Sequence, residues 1–340
     1  MPLTNNRVAI RKITSLHVAY CTNEQLQSIL SGLSDGNQSL MGVVGFSKQA
    51  LTNPVGPAPF IKVPLAPIEE EVLFELWTTD GPVRYEQDGS LRCAYASTLI
   101  FGCMTAESAS ADDLSINTEQ AYRFLFAHID RAGYGHLLRI WHYISNITED
   151  AGGVERYHAF NAGRYRAFSA DRKNIRTAPA ASALGSSEGS LAIYFLASRS
   201  PGLPLENQRQ VSAYNYPKEY GTCSPVFSRA MQGGDRLFIS GTASIVGHTS
   251  MYEGNLAEQT RETICNLNAL LTNISDGTLP LSDLQFKAYL RYPEHLPFVR
   301  KALSDAFGAQ TPVVFFQAQI CRRELLLEVE GICKAPGALL

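Results

Sequence analysis

The chain has 340 residues, of which 45% are hydrophobic and 18% charged, and its formal net charge is −3 at pH 7. This composition is typical of a globular protein that is long enough for two domains. The slight acidity argues against nucleic acid or an acidic membrane as a partner, and no apolar run approaches the length of a membrane helix. The N-terminal MPLTNNRVAIRK has no apolar core after its basic residues. We therefore expect no secretion signal and a cytoplasmic location.

Residues 1–65 mix short strand-like runs with a proline-rich stretch, and we expect them to pad the sheet of the segment that follows. Two later segments, residues 72–199 and 210–333, then repeat one order of predicted elements, β-β-α-β-α-β-β. The strand-ending glycines Gly102 and Gly241 are separated by the same number of residues as Gln120 and Gln259, which lie in the first helix of each segment. The matched spacing indicates an internal duplication.

The repeat predicts an α/β fold, more closely an α+β sandwich of two tandem modules, each a sheet with helices on one face. We expect an N-terminal region of residues 1–205, which includes the first module, and a C-terminal module of residues 206–340. The active site is expected between them. An internal duplication can replace a partner subunit, so the chain is expected to be a monomer or a homotrimer.

The carboxylate of Glu328 lies between apolar neighbours in the most apolar predicted strand, residues 321–331. Burial raises the pKa of a carboxyl group such as Glu328 toward the range in which it donates a proton at neutral pH. The matching position of the first copy is Tyr194, and a carboxylate needed only for folding is expected in both copies. Glu328 and the nearby thiol of Cys321 therefore form a candidate reaction centre. The alternative is an exposed edge strand on which Glu328 and Glu330 face water.

The seven cysteines and seven histidines are scattered, without CxxC, HxH or HxxxH spacing. This scatter predicts reduced cysteines and no metal site. No GxGxxG or GxxxxGK(S/T) motif is present, so we expect no nucleotide cofactor.

Two stretches dense in arginine and tyrosine, residues 155–166 and 209–229, are candidates for binding an acidic substrate. Arginine binds carboxylates through paired hydrogen bonds, and tyrosine adds a hydroxyl group beside an aromatic surface. This chemistry suits a small di-acid with an unsaturated ring. The small residues of the turn at 240–248 allow a ligand to approach the backbone closely. Alternatively, the arginines form a solvated helix face, the tyrosines belong to the core and the turn is an ordinary one.

Five motifs occur in order between about residues 150 and 333: GVERYHAFNAGRYRAF, RQVSAYNYPKEYG followed by SPVFSRA, ISGTASIVGH, EQTRETICNLNALL and CRRELLLEVEG. Together they resemble the chorismatase family, and each half of the chain resembles the YjgF/Rid enamine-deaminase fold. The resemblance implies cofactor-independent hydrolysis of chorismate with release of pyruvate. It leaves three product types: a dihydrobenzoate diol, 3-hydroxybenzoate, or mixed 3- and 4-hydroxybenzoate.

The resemblance also implies roles for residues. The family's proton-donating glutamate falls on Glu328, and the cysteine of its hydroxybenzoate-forming members falls on Cys321, so the chain resembles a 3-hydroxybenzoate synthase. The candidates for substrate binding are Tyr157, Arg164, Tyr214, Tyr220, Arg229, Gly241, Thr242, Ala243 and Arg291. Family members often continue with Pro-Arg after the Tyr-Gly pair, where this chain has Thr222-Cys223. A carboxylate-binding arginine is therefore missing there or supplied elsewhere.

Three other functions stay open at this point: a diol-forming chorismatase, a Rid-type imine deaminase, and a non-catalytic module that binds aromatic acids. Rid-type deaminases carry an arginine early in the penultimate strand, where this chain has Thr311-Pro312-Val313-Val314. A binding module accounts for the arginines and tyrosines, but not for a carboxylate that occurs in one copy alone.

Overall fold

The computed structural model describes residues 15–35, 38–108, 110–150, 152–171, 174–186, 188–218, 221–275 and 284–335. Its N-terminal region forms a sheet of its own with the order β1-β5-β2-β3. The elements are β1 (Leu16–Thr22), α1 (Asn23–Asp35), β2 (Gln38–Phe46), β3 (Phe60–Val63), β4 (Ala66–Pro67) and β5 (Leu73–Asp80). Residues 1–65 therefore do not extend the sheet of the first module, as was expected. Their strands β1 and β2 pair with β5, which the prediction of a first module over residues 72–199 placed in that module, so the sheet of the first module begins later than predicted, at Arg84.

The first module has a six-stranded sheet with the order β10-β9-β11-β8-β7-β6. Its elements are β6 (Arg84–Asp88), β7 (Leu91–Tyr95), β8 (Leu99–Ala106), α2 (Ala111–Arg131), β9 (His136–Ser145), α3 (Arg156–Ala170), β10 (Ala180–Ser186) and β11 (Leu191–Ser198). Helix α2 begins at a capping box in which Ser110 and Asp113 bond each other's backbone N–H. Its apolar stripe packs on one face of the sheet, together with α3.

The second module repeats this arrangement in the order β12-β13-β14-β19-β17-β18, with β4 added at the edge beside β18. Its elements are β12 (Leu203–Leu205), β13 (Ala230–Gly233), β14 (Arg236–Thr242), β15 (Ile245–Val246), β16 (Thr249–Ser250), α4 (Leu256–Ser275), β17 (Gln285–Leu290), α5 (Leu296–Phe307), β18 (Val313–Gln317) and β19 (Leu327–Lys334). The two sheets match strand for strand, and β9–β10 and β17–β18 are the parallel pair of each. The predicted duplication is confirmed.

The N-terminal sheet has the same layout in shortened form. Strands β1, β5, β2 and β3 follow the order of β8, β11, β9 and β10, and β2–β3 is again a parallel pair. Helix α1 connects β1 to β2 as α2 connects β8 to β9, whereas no helix lies between β2 and β3. One chain therefore contains three related sheets, a third copy that the sequence comparison missed.

The three sheets meet around one shared core on the faces that their helices leave free. Trp77 of β5 and Trp141 of β9 have ring centroids 5.5 Å apart, and the hydroxyl groups of Tyr143 and Tyr289 lie 3.1 Å apart. Phe238 of β14 belongs to the same cluster. No helix in the described ranges is both long and apolar enough to cross a membrane.

Candidate active site

A partly open cavity of about 580 Å³, including the space at its mouth, lies where the two modules meet. The first module contributes the start of α3, and the second contributes the end of β14, the middle of β19 and the segments that lead into β13 and β19. The lining residues are Glu155, Tyr157, His158, Tyr216, Pro225, Phe227, Arg229, Gly241, Ala243, Ile245, Cys321, Arg322, Leu325 and Glu328.

Glu328 lies on β19 and reaches the cavity from the middle of the sheet. The strand is hydrogen-bonded on both sides, to β14 and to β17, and Glu328 is only 4% exposed. A solvated edge strand is therefore excluded for Glu328, and Glu330 is buried as well. Burial, followed by the negative charge of Glu330, raises the pKa of Glu328 to about 8. The carboxyl group is consequently protonated at neutral pH and can act as a proton donor.

Gly241 makes room for this carboxyl group. The ladder between β14 and β19 shifts its register between Ile239 and Thr242, so that Gly241 comes to lie against the Glu328 side chain. A Cβ atom at position 241 would lie 1.8 Å from Glu328 Oε1. A residue with a side chain at this position would collide with the carboxyl group, which explains the glycine.

Cys321 lies beside the acid, with its Sγ 3.9 Å from Glu328 Oε2. Burial and the neighbouring Glu328 raise the pKa of the Cys321 thiol. The sulfur is therefore a neutral thiol at neutral pH, rather than an activated thiolate.

The loop that carries Cys321 is fastened by side chains from two neighbouring elements. Arg291, just after β17, donates from Nε to Leu325 O at 2.8 Å and from Nη2 to Arg322 O at 2.8 Å. Gln259 of α4 donates to Glu324 O and accepts from Leu326 N, each at 2.8 Å. The matched glutamine of the first copy, Gln120, is exposed. Gln259 thus fixes the backbone just before the catalytic strand.

Two arginines supply positive charge to the cavity. Arg229 is 4% exposed and donates from Nη2 to Tyr216 OH at 2.7 Å and to Val211 O at 2.8 Å. Its buried Nε has no hydrogen-bond partner among the described residues. Arg322 donates from Nη1 to His248 O at 2.9 Å. A pair of guanidinium groups beside a neutral acid suits a substrate with more than one carboxylate.

Comparisons with known proteins agree with this geometry. The family description for the N-terminal part of FkbO/Hyg5-like chorismatases matches residues 75–197. A 3-hydroxybenzoate synthase from Streptomyces hygroscopicus is 33% identical over 291 residues, which cover 81% of this chain and 85% of the relative. A chorismatase from Streptomyces rapamycinicus is 31% identical, with coverage of 92% and 97%. The chain belongs to the chorismatase family. A crystal structure of a chorismatase superposes with a TM-score of 0.85 at 26% identity, covering 95% of this chain and 99% of that one.

Six of the residues predicted for the site line the cavity of this chorismatase family member: Tyr157, Arg229, Gly241, Ala243, Cys321 and Glu328. Thr242 does not, because side chains alternate along β14 and its hydroxyl group bonds Ser240 O on the other face. Tyr220 lies outside the described residues.

Three further candidates lie elsewhere. Arg164 lies on α3 and is buried inside the first module, with its guanidinium carbon 5.4 Å from the ring of Tyr122 and 5.8 Å from that of Phe168. Tyr214 is half-buried in a short helical turn outside the cavity lining. Arg291 holds the Cys321 loop through backbone carbonyl groups rather than facing the cavity. It therefore acts on the site indirectly.

Sequence reasoning missed several residues of the lining, of which Tyr216 and Arg322 matter most. Each lies next to a residue that was selected: Tyr216 two positions after Tyr214, and Arg322 directly after Cys321. The motifs located these stretches correctly. The direction of each side chain depends on loop conformation, which no periodic pattern encodes.

Two other expectations can be compared with the described part of the chain. The penultimate strand, β18, reads VVFFQ and has no arginine, unlike the Rid-type deaminases. Among the described residues, no group of three or more His, Cys, Asp or Glu side chains could hold a metal ion.

Proposed function

We propose that this chain converts chorismate to 3-hydroxybenzoate and pyruvate. The observation that carries the proposal is a buried Glu328, with a raised pKa, at a cavity lined by two arginines and with Cys321 at its side. The match to a 3-hydroxybenzoate synthase over most of both chains supports the choice of substrate and product.

The cavity suits the charges and shape of chorismate, which carries a carboxylate on its ring and another on the enolpyruvyl ether. Arg229 and Arg322 supply the cations, and Tyr216 adds a phenolic hydroxyl group beside Arg229. Phe227 and Leu325 provide apolar surface for the ring.

The reaction begins with proton transfer from Glu328 to the methylene carbon of the enolpyruvyl group, which forms a C–H bond with the electron pair of the double bond. The ether carbon becomes an oxocarbenium-like centre, as in glycoside cleavage. The bond between the ring carbon and the ether oxygen then breaks, and its electron pair becomes the carbonyl of pyruvate.

The fate of the ring decides the product. In hydroxybenzoate formation, the neighbouring ring hydroxyl oxygen bonds to the carbon that pyruvate leaves and gives up its proton, which forms an epoxide. The bond between this oxygen and its original ring carbon then breaks, and the oxygen takes up a proton. Loss of the ring proton from the carbon that now carries the oxygen makes the ring aromatic. Chorismate then splits into hydroxybenzoate and pyruvate without net consumption of water, whereas the diol route takes up one water molecule. We assign to the neutral Cys321 thiol a part in this rearrangement, because it lies beside the group that starts the reaction.

The test is to incubate the purified protein with chorismate and follow pyruvate with a coupled assay. Glu328→Gln is expected to abolish pyruvate release, while Glu258→Gln, at an exposed helical position, is expected to leave it unchanged. Near-normal turnover by Glu328→Gln would rule out Glu328 as the proton donor. Absence of pyruvate with the wild-type protein would refute the proposed function.

Chromatography of the aromatic product tests the role of the thiol. Cys321→Ala is expected to shift the product from 3-hydroxybenzoate toward the diol, and Cys265→Ala, on α4, serves as the matched control. An unchanged product profile in Cys321→Ala would remove Cys321 from the mechanism. A main product of 4-hydroxybenzoate or diol from the wild-type protein would correct the proposed product but keep the enzyme class.

A further inference from the structure

A second carboxylate on the catalytic strand lies in a buried ionic cluster where the modules meet. Glu330 is 2% exposed and accepts hydrogen bonds from Arg139 Nη2 and Trp141 Nε1, each at 2.7 Å. Lys287 Nζ lies 2.9 Å from Glu330 Oε1, the oxygen that Trp141 bonds, and 2.8 Å from Glu75 Oε2 of the N-terminal sheet. All three sheets therefore meet at this cluster.

The cluster continues directly to the site. Ser182 of β10 donates its hydroxyl hydrogen to Glu330 and accepts from Arg139 Nη2 at 2.7 Å. The same oxygen accepts from Gly241 N at 3.0 Å. Gly241 is the residue against which the Glu328 carboxyl group packs. Glu330 is thus connected through one serine to the backbone that supports the proton donor.

Glu330 and Glu328 lie two residues apart on one strand, so their side chains share a face. Both carboxyl groups are buried, but their surroundings differ. Two cations bond Glu330, and they lower its pKa against the effect of burial. Its charge in turn raises the pKa of Glu328, while Arg139 lowers it. The charged or titratable groups around Glu328 are Arg139, Glu155, Tyr157, His158, Tyr216, Arg229, Lys287, Tyr289, Cys321, Arg322 and Glu330.

We propose that Glu330 is a positioning residue, whose fixed negative charge and bond to Ser182 keep Glu328 protonated and in place against Gly241. The inference rests on the proposed function, in which Glu328 gives up a proton. It adds that the first module takes part in the chemistry without touching the substrate, because Ser182 connects Glu330 to the backbone of Gly241.

The experiment compares the pH dependence of kcat/KM for pyruvate release in the wild-type protein, Glu330→Gln and Glu75→Gln. The alkaline limb of the wild-type profile reports ionisation of Glu328. In Glu330→Gln this limb is expected to move to lower pH by about one unit, because Arg139 then acts on Glu328 unopposed. Glu75→Gln removes a buried carboxyl group bonded to the same Lys287, yet its limb is expected to stay in place.

A purely structural role predicts loss of activity in both variants with parallel pH profiles, and that outcome would overturn the proposal. If Glu330→Gln does not fold, Arg139→Gln tests the same idea with the opposite sign. The alkaline limb of the Arg139→Gln profile is expected to move to higher pH. An alkaline limb at the wild-type pH would refute the role of Glu330. Ser182→Ala keeps the charge but removes the bond to Gly241 N, so kcat is expected to fall without a shift of the limb.

An infrared titration separates this proposal from the proposed function, because it needs no turnover. In the infrared spectrum of the wild-type protein, the carbonyl band of a protonated carboxyl group is assigned to Glu328 if that band is missing from Glu328→Gln. The pH at which half of that band has disappeared is expected to be lower in Glu330→Gln than in the wild type. If the wild-type protein releases no pyruvate, the proposed reaction fails, but this pH value still confirms or refutes the effect of Glu330 on Glu328.

Discussion

We expect opposite effects on stability when the two buried glutamates of β19, Glu328 and Glu330, are each replaced by glutamine. The pKa of Glu328 in the folded protein is about 8, against an ordinary value of 4.5. Between these two pH values the unfolded chain releases a proton that the folded protein retains, so this group lowers the free energy of unfolding as pH rises. Glu328→Gln removes this decrease in the free energy of unfolding. It is therefore expected to stabilise the protein while abolishing turnover.

The magnitude follows from the shift. One pKa unit corresponds to about 1.4 kcal/mol, so the gain in Glu328→Gln should be about 1 kcal/mol at pH 5 and about 3 kcal/mol at pH 7. The contribution of Glu330 to the free energy of unfolding has the opposite sign, because the pKa of Glu330 is lowered in the folded protein. Its contribution is present above the unfolded pKa and is lost as pH falls through the folded pKa. Glu330→Gln is therefore expected to destabilise the protein at pH 7 and less so at low pH.

Equilibrium urea unfolding at pH 5 and pH 7 measures both effects. The reasoning requires a difference between Glu328→Gln and the wild type that grows with pH and a difference of opposite sign for Glu330→Gln. A Glu328→Gln protein that is less stable than the wild type at pH 7 would show that the carboxyl group is ionised and satisfied in the folded state. It would then be no proton donor at neutral pH.

Three further outcomes follow from the geometry. Gly241→Ala places a methyl group against the catalytic carboxyl group and is expected to lower kcat for pyruvate release at least about tenfold, whereas Gly32→Ala, with open space around its Cβ, should match the wild type. Tyr216→Phe removes the hydroxyl group that accepts from Arg229 and is expected to raise KM for chorismate more than it lowers kcat, as steady-state kinetics can show. Arg291→Met removes the guanidinium group that donates to the carbonyl groups of Ile320, Arg322 and Leu325, and it is expected to cost about 1–3 kcal/mol in urea unfolding and to lower kcat. An unchanged kcat would show that the Cys321 loop needs no such support.

Much of the fold could be read from periodicity and spacing. The two modules were predicted, with their two helices and the strands between and after them, because amphipathic helices and apolar strands leave local patterns. The prediction gave two strands before the first helix of each module, whereas the sheet of each module has three. The N-terminal sheet was not recognised as a third copy, since it lacks the helix between its parallel strands and takes its central strand, β5, from beyond the proline-rich stretch. Strand pairing across such a gap depends on contacts that a local pattern does not contain.

The sequence by itself determined the strand that carries Glu328, the absence of a matching carboxylate in the first copy, the neighbouring Cys321 and the family, because side chains on a strand alternate with a fixed period of two and the motifs are local. Only the tertiary structure decided which arginines reach the cavity, since Arg164 of α3 is buried inside the first module and Arg322 projects from a loop. It also decided the surroundings of Glu328, whose pKa is raised first by burial and then by the charge of Glu330. The charge of Glu330 is held by residues of three different sheets, and only the packed chain brings them within hydrogen-bond distance.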